Sequence, residues 1–192
     1  QLDSLSDVIS FGLAPSIIYY RLILYAIIKI DKTGQINIFS PPVIYFILMN
    51  MSFLIVMFAA LRLAKFNIDE SQNNNFKGLP TPATALFICA MGIIAEGETN
   101  NIFYSIITNL WFLIPVILIL SFLMISNIRM FSLKFNDYSV KKNFVRYVFI
   151  IISLVLFVFL RIKSFFFIIP MYVLISIFLP VKYFEKNWLY YF

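Results

Sequence analysis

The chain of 192 residues has no histidine, a single cysteine and only 12% charged residues. Without histidine, these residues build no Ser-His-Asp triad, no phosphohistidine relay and no His-ligated metal. The lone thiol, Cys89, can form neither an internal disulfide nor a thiolate zinc site. It lies in an apolar run and reads as a small apolar filler. No internal repeat and no soluble domain stand out. The chain begins with Gln1, shows no signal peptide, and its start reads as a truncation.

Apolar residues dominate instead, at 62% of the chain, far above what a soluble domain uses. They are clustered into uncharged runs such as Pro41 to Leu61, Leu79 to Ala95 and Phe103 to Ile125. Roughly 20 apolar residues cross a bilayer. Six spans are expected, at about 8–28, 41–61, 79–95, 103–125, 144–160 and 164–181. The uncharged part of the fifth, Tyr147 to Leu160, is short, and Arg146 and Arg161 extend it by snorkelling from its ends. The expected fold class is all-α: a polytopic transmembrane helical bundle forming a single membrane domain over residues 1–192.

Charge sets the expected orientation. If residues 1–7 face the cytoplasm, one side carries Arg62, Lys65, Lys77, Arg129, Lys134, Lys141, Lys142, Arg146, Lys182 and Lys186. The opposite side carries Lys29, Lys32, Arg161 and Lys163, and Arg21 falls inside a span. The basic excess places the first side in the cytoplasm. The terminal Trp188 to Phe192 reads as interfacial aromatic anchoring. Arg21 has two readings, snorkelling to the far interface or lining a groove between helices.

On the cytoplasmic side stand Asp3 and Asp7, four residues apart and therefore on one face of a helix entering the membrane. Like charges so placed repel unless a cation lies between them. Capping free N–H groups at a helix start explains one aspartate but does not require two. Spacing alone leaves cap and metal ligand about equally supported. Gly12 permits close approach of another backbone or a ligand, and Pro15 frees a carbonyl and bends the helix; both also suit ordinary helix packing. Arg62, Lys65, Lys77, Arg129 and Lys134, read alone, are ordinary charges of a cytoplasmic face. An acidic pair opposite a basic ring at headgroup level nevertheless suits a metal ion with a phosphate beyond it.

Four segments together are more specific. Leu2 to Pro15 follows the pattern Leu-Asp-Ser-Leu-x-Asp-x-x-Ser-Phe-Gly-x-Ala-Pro. Leu61 to Asn67 follows Leu-Arg-Leu-Ala-Arg-Phe-Asn, with Lys65 where the pattern has Arg. Phe76 to Pro82 follows Phe-x-Gly-Leu-Pro-x-Pro, and Met130 to Lys134 reads Met-Phe-Ser-Leu-Lys. In these islands, which span residues 2–134 in order, the chain resembles the CDP-alcohol phosphatidyltransferases, most closely their serine branch. Asp3 and Asp7 match the last two aspartates of the family motif Asp-x-x-Asp-Gly-x-x-Ala-Arg…Gly-x-x-x-Asp-x-x-x-Asp. Its first half would lie upstream of Gln1. Lys65 offers a point charge where Arg would offer a planar fork.

The resemblance implies transfer of a phosphatidyl group from CDP-diacylglycerol to L-serine, giving phosphatidylserine and CMP. It implies two divalent cations, Mg²⁺ or Mn²⁺, held by four aspartates. Asp3 would be a ligand, and Asp7 a ligand and the general base. Arg62, Lys65 and Lys77 would hold phosphate oxygens or the serine carboxylate, and Asn67 would give a neutral hydrogen bond. Ser126, Arg129 and Lys134 would belong to the acceptor pocket. The implied partners are the two substrates, the bilayer and a second copy in a homodimer, with no nucleic acid. The implied location is a bacterial cytoplasmic membrane, with the site on its cytoplasmic face. A fragment lacking half the ligands is expected to be inactive alone. The rival readings are a relative using another acceptor, such as glycerol phosphate, inositol phosphate or choline, and a non-enzymatic transport subunit.

Overall fold

The structure is a computed structural model that describes residues 2–30, 41–68, 78–97, 102–128, 130 and 143–178. Lys77, Arg129, Lys134 and the aromatic tail lie outside these residues.

Apolar runs become helices because a helix satisfies every backbone N–H and C=O internally, as a lipid environment requires. The first membrane helix consists of α1 (Leu2–Val8), a π-helical segment (Ile9–Leu13) and α2 (Ala14–Ile30). The second consists of α3 (Val43–Asn50), a 3-10 turn (Met51–Phe53) and α4 (Leu54–Ile68). Then come α5 (Thr81–Ala95), α6 (Ile102–Ile107) and α7 (Leu110–Ile125), followed by α8 (Phe144–Leu160) and α9 (Phe165–Phe178). No strand occurs among the described residues.

Three stretches are long and apolar enough to cross a membrane: Asp3–Ile30, Val43–Asn67 and Phe144–Phe178. Thr81–Ala95 and Leu110–Ile125 are shorter apolar helices. The stretch Phe144–Phe178 is not straight. Arg161 takes a positive φ of 50° at the end of α8, and a 3-10 turn (Arg161–Ser164) reverses the chain. The rings of Phe149 and Tyr172 then lie 6.0 Å apart, where a straight helix would separate them by about 35 Å. α8 and α9 are therefore two antiparallel limbs, as the two separate expected spans require.

The expected span 103–125 differs from the structure. α6 stops at Ile107, and a new helix begins at Leu110. Asn109 causes the restart, because its Oδ1 accepts the Trp111 N–H at 3.0 Å and so caps a free donor. Thr108 is tied to the end of α2 by the Lys29 ammonium, 3.1 Å from its hydroxyl. The second span also runs further than expected. α4 continues to Ile68, so Arg62, Lys65 and Asn67 ride on helix and not on a loop.

The π-helical segment has its cause in Pro15. Proline has no N–H, so the carbonyl four residues earlier loses its partner, and the ladder lengthens. The Ala14 N–H bonds to the Ile9 carbonyl, and the Ser16 hydroxyl donates to Gly12 O at 2.8 Å. Gly12 lies within this segment and faces α4. A Cβ there would sit 3.2 Å from Ala59 Cβ and 3.3 Å from Val56 Cγ2. The missing side chain brings the π-helical segment and α4 together at the level just inside Asp7. A Gly12→Leu substitution should therefore push the two helices apart, costing about 1–3 kcal/mol. A lowered temperature of aggregation in detergent would report it, while Gly12→Ala should have a much smaller effect.

The packed interior is formed by Tyr19, Ile23, Ile27, Ile55, Ile88 and Ile117 with their neighbours. The buried Tyr19 hydroxyl donates to Leu113 O at 2.6 Å, joining α2 to α7. Large apolar side chains such as Val43, Trp111, Phe122 and Phe159 are exposed. An outer surface of that kind suits lipid rather than water.

Candidate functional site

The site is assembled where α1, the C-terminal end of α4 and the C-terminal end of α7 meet. Asp3 and Asp7 both lie on α1, one turn apart on one face. Asp3 is exposed and Asp7 half-buried. Among the described residues no cation comes within salt-bridge distance of either carboxylate.

α1 is fixed to α4 at two levels. Gly12 makes the close crossing described above, and nearer the chain start Asn67 Nδ2 donates to Ser4 Oγ at 3.0 Å. Ser4 lies between the two aspartates, so this bond sets the carboxylate-bearing turn against the polar end of α4. Two residues before Asn67, and so on the other side of α4, Lys65 Nζ donates to Asn127 Oδ1 at 2.9 Å. Asn127 follows Ser126, whose hydroxyl donates to Leu123 O at 2.9 Å at the end of α7. The structure thus brings Lys65, Asn67 and the Ser126–Asn127 corner to the end of the bundle that carries Asp3 and Asp7.

Arg62 is placed differently. It is buried on α4, with Tyr172 of α9 close enough to feel its charge. Its Nε has no hydrogen-bond partner among the described residues. A buried guanidinium with an unused donor has free capacity for an anionic oxygen.

The segment Gly78–Pro80 brings the chain back into the bundle beneath this corner. The Gly78 N–H donates to Ile128 O at 2.9 Å, and the Leu79 N–H to Leu123 O at 3.0 Å. Gly78 has φ +74°, and a Cβ there would sit 2.5 Å from Met124 O. Only glycine fits such a position. Lys77, immediately before it, and Arg129 and Lys134 after the corner are outside the described residues.

The donor set decides whether a divalent cation suits the site. Two carboxylates, without a counter-charge among the described residues, supply the hard oxygen ligands that Mg²⁺ or Mn²⁺ prefers. They are not a full set: no group of three or more His, Cys, Asp or Glu side chains occurs among the described residues. The carboxylates fit as part of a metal site.

Two participants were not legible in the sequence, Ser4 and Asn127. Ser4 was visible only as a spacer between the aspartates, and nothing marked Asn127 as the partner of Lys65.

The combination of an apolar helical bundle with two carboxylates and cationic side chains at one end defines a class: a membrane protein with a polar site at the mouth of its helices. No family model matches the chain, and no solved structure matches it. Curated proteins do. The chain is 34% identical over 169 residues to the CDP-diacylglycerol–serine O-phosphatidyltransferase of Helicobacter pylori strain 26695, covering 84% of this chain and 58% of that protein. It is 36% identical over 129 residues to the archaetidylserine synthase of Methanothermobacter thermautotrophicus, covering 67% of this chain and 43% of that protein. A third relative, the CDP-diacylglycerol–serine O-phosphatidyltransferase of Bacillus subtilis, is 34% identical over 82 residues, 43% of this chain and 37% of that protein. The chain belongs to the CDP-alcohol phosphatidyltransferases and is similar to members named as serine O-phosphatidyltransferases. It spans a little over half the length of the Helicobacter pylori relatives it matches.

Proposed function

We propose that the full-length protein transfers the phosphatidyl group of CDP-diacylglycerol to L-serine. The carrying observation is similarity over 84% of the chain to a serine transferase. The archaeal relative, whose name indicates a different lipid, is also named for serine, which favours serine as the acceptor. In this reading residues 1–192 form one membrane domain with six spans and the site on the cytoplasmic face. A homodimer belongs to the same reading, and the mass of the detergent-solubilised protein checks it.

The proposed step is a displacement at phosphorus. The serine hydroxyl oxygen bonds to the diacylglycerol-bearing phosphorus, and the bond from that phosphorus to the CMP oxygen breaks. CMP leaves with the electron pair. Asp7 takes the hydroxyl proton; it is the less exposed of the two carboxylates, and a base must sit within hydrogen-bond reach of that proton. Asp3 and Asp7 would hold divalent cations as part of a larger set of carboxylates. When bound, such ions neutralise charge on the pyrophosphate and the leaving CMP.

The cations on α4 serve the anionic groups. Arg62, buried with a free Nε, suits a phosphate oxygen that enters a desolvated position. Lys65 is exposed and already engaged by Asn127, so it suits a group at the water-facing edge, such as the serine carboxylate. Asn67, engaged with Ser4, is a positioning residue for α1 in this scheme. Lys77, Ser126, Arg129 and Lys134 complete the proposed acceptor pocket.

An acceptor panel tests the proposal. The purified full-length protein, given CDP-diacylglycerol and Mg²⁺ or Mn²⁺, is expected to release CMP with L-serine. Release only with glycerol phosphate, inositol phosphate or choline would reassign the acceptor. Release with none of them would favour a non-catalytic role.

A further inference from the structure

Arg21 is the charge that the proposed reaction does not use, and its surroundings form a second polar feature far from Asp7. Fourteen residues of helix separate them, about 20 Å along the axis. Arg21 therefore belongs to the opposite leaflet. It lies over a groove between α2 and α5 with a cavity volume of about 250 Å³. The two helices run in the same direction, and close contact between Gly92 and Ile18 forms the floor; a Cβ on Gly92 would lie 2.9 Å from Ile18 Cγ2.

The groove is amphiphilic along its length. Ile18, Cys89 and Ile93 line the part nearer the bilayer centre, and Arg21, Tyr25 and Glu96 the part nearer the surface. Arg21 Nη2 donates to the Tyr25 hydroxyl at 2.8 Å, and Nη1 stands 3.8 Å from Glu96 Oε1. Both charged side chains are more than half exposed, 59% for Arg21 and 65% for Glu96. A guanidinium carries five donors, and these two contacts leave several facing the groove. At the edge of a hydrocarbon phase such donors need acceptors. Glu96 likewise presents carboxylate oxygens that accept no other contact among the described residues.

We propose that this groove holds one phospholipid with a zwitterionic headgroup. Its phosphate meets Arg21, its ammonium meets Glu96, and an acyl chain lies along Ile18, Cys89 and Ile93. The choice rests on charge complementarity. One cation and one anion side by side match a headgroup carrying both charges, and a net-anionic headgroup would leave Glu96 unmatched beside a phosphate. Lys163 approaches Gly97 from the α8–α9 turn but does not line the groove. The proposal does not depend on the transferase reading.

Native mass spectrometry of the full-length protein tests it. The protein is stripped of lipid in detergent and then offered equal amounts of phosphatidylethanolamine and phosphatidylglycerol. Wild type should retain phosphatidylethanolamine in several-fold preference. Glu96→Gln should reverse the preference, because Arg21 alone favours the anionic lipid, and Arg21→Gln should lose the selective retention altogether. Both positions are exposed, so neither variant should disturb folding. Identical lipid retention in wild type and both variants would overturn the proposal. So would a change in oligomeric state of the variants without a change in retained lipid, which would make the groove a contact between copies.

Discussion

Asp7→Asn in the full-length protein should lower serine-dependent CMP release about a thousandfold, within the range of about 10²–10⁴ that a positioned base contributes. That loss corresponds to about 4 kcal/mol of transition-state stabilisation. The amide keeps the shape of the carboxylate, but it cannot accept the serine proton and has no charge for a divalent cation. Asp7 lies on a helix whose position is set by Gly12 and Ser4, through the close approach to α4 and the bond to Asn67. The variant should therefore fold like wild type, and its aggregation temperature should be unchanged. Asp3→Asn, at the more exposed position, should also lose activity, and raising Mn²⁺ should restore more of it than for Asp7→Asn. Activity of Asp7→Asn near wild type would remove Asp7 from the role of base.

The largest structural effect should come from Gly78→Ala. A non-glycine residue at φ +74° costs about 1–3 kcal/mol in backbone strain. The added methyl would also overlap Met124 O at 2.5 Å and press on Leu123 O and Ser126 O at 3.0 Å. These atoms are backbone, so relief requires α7 to move. Together the loss should be about 3 kcal/mol or more. A sharp drop in the temperature at which the solubilised protein aggregates would show it. Because Ser126 and Asn127 sit at the displaced end of α7, surviving protein should also show a raised KM for serine.

The helices were legible because lipid leaves a chain few choices: uncharged runs near the length of a bilayer become helices, and each expected run is helical over most of its described residues, the fourth broken into α6 and α7. The reversal at Arg161 was also visible, since Arg161 and Lys163 interrupt an otherwise unbroken apolar sequence. Interruptions that carry no charge were hidden. The break at Thr108 and Asn109 lies inside an uncharged run, and only the cap on Trp111 reveals it. The π-helical segment was half visible: Pro15 announced a disturbed ladder, but the lengthened bond from Ala14 to Ile9 depends on how the chain repairs it.

For the site, spacing on one helix was enough to place Asp3 and Asp7 on one face, because helical geometry is local. Contacts between helices were not readable in the same way. Nothing in the sequence says that Arg62 turns inward towards Tyr172 while Lys65, three residues later, turns to Asn127. Those directions follow from how α4 packs against α7 and its other neighbours. Arg21 shows the same limit. Two readings were open, and only the approach of α5 gives it Glu96 as a partner and a groove to line.

The most direct test is transfer of labelled serine into lipid by the purified full-length protein. With CDP-diacylglycerol and a divalent cation, radiolabelled L-serine is expected to enter the chloroform-soluble fraction in step with CMP release. Omitting either CDP-diacylglycerol or the cation, or introducing Asp7→Asn, should abolish both. Lipid-soluble label that forms without CDP-diacylglycerol, or CMP release that leaves serine in the aqueous phase, would contradict the account.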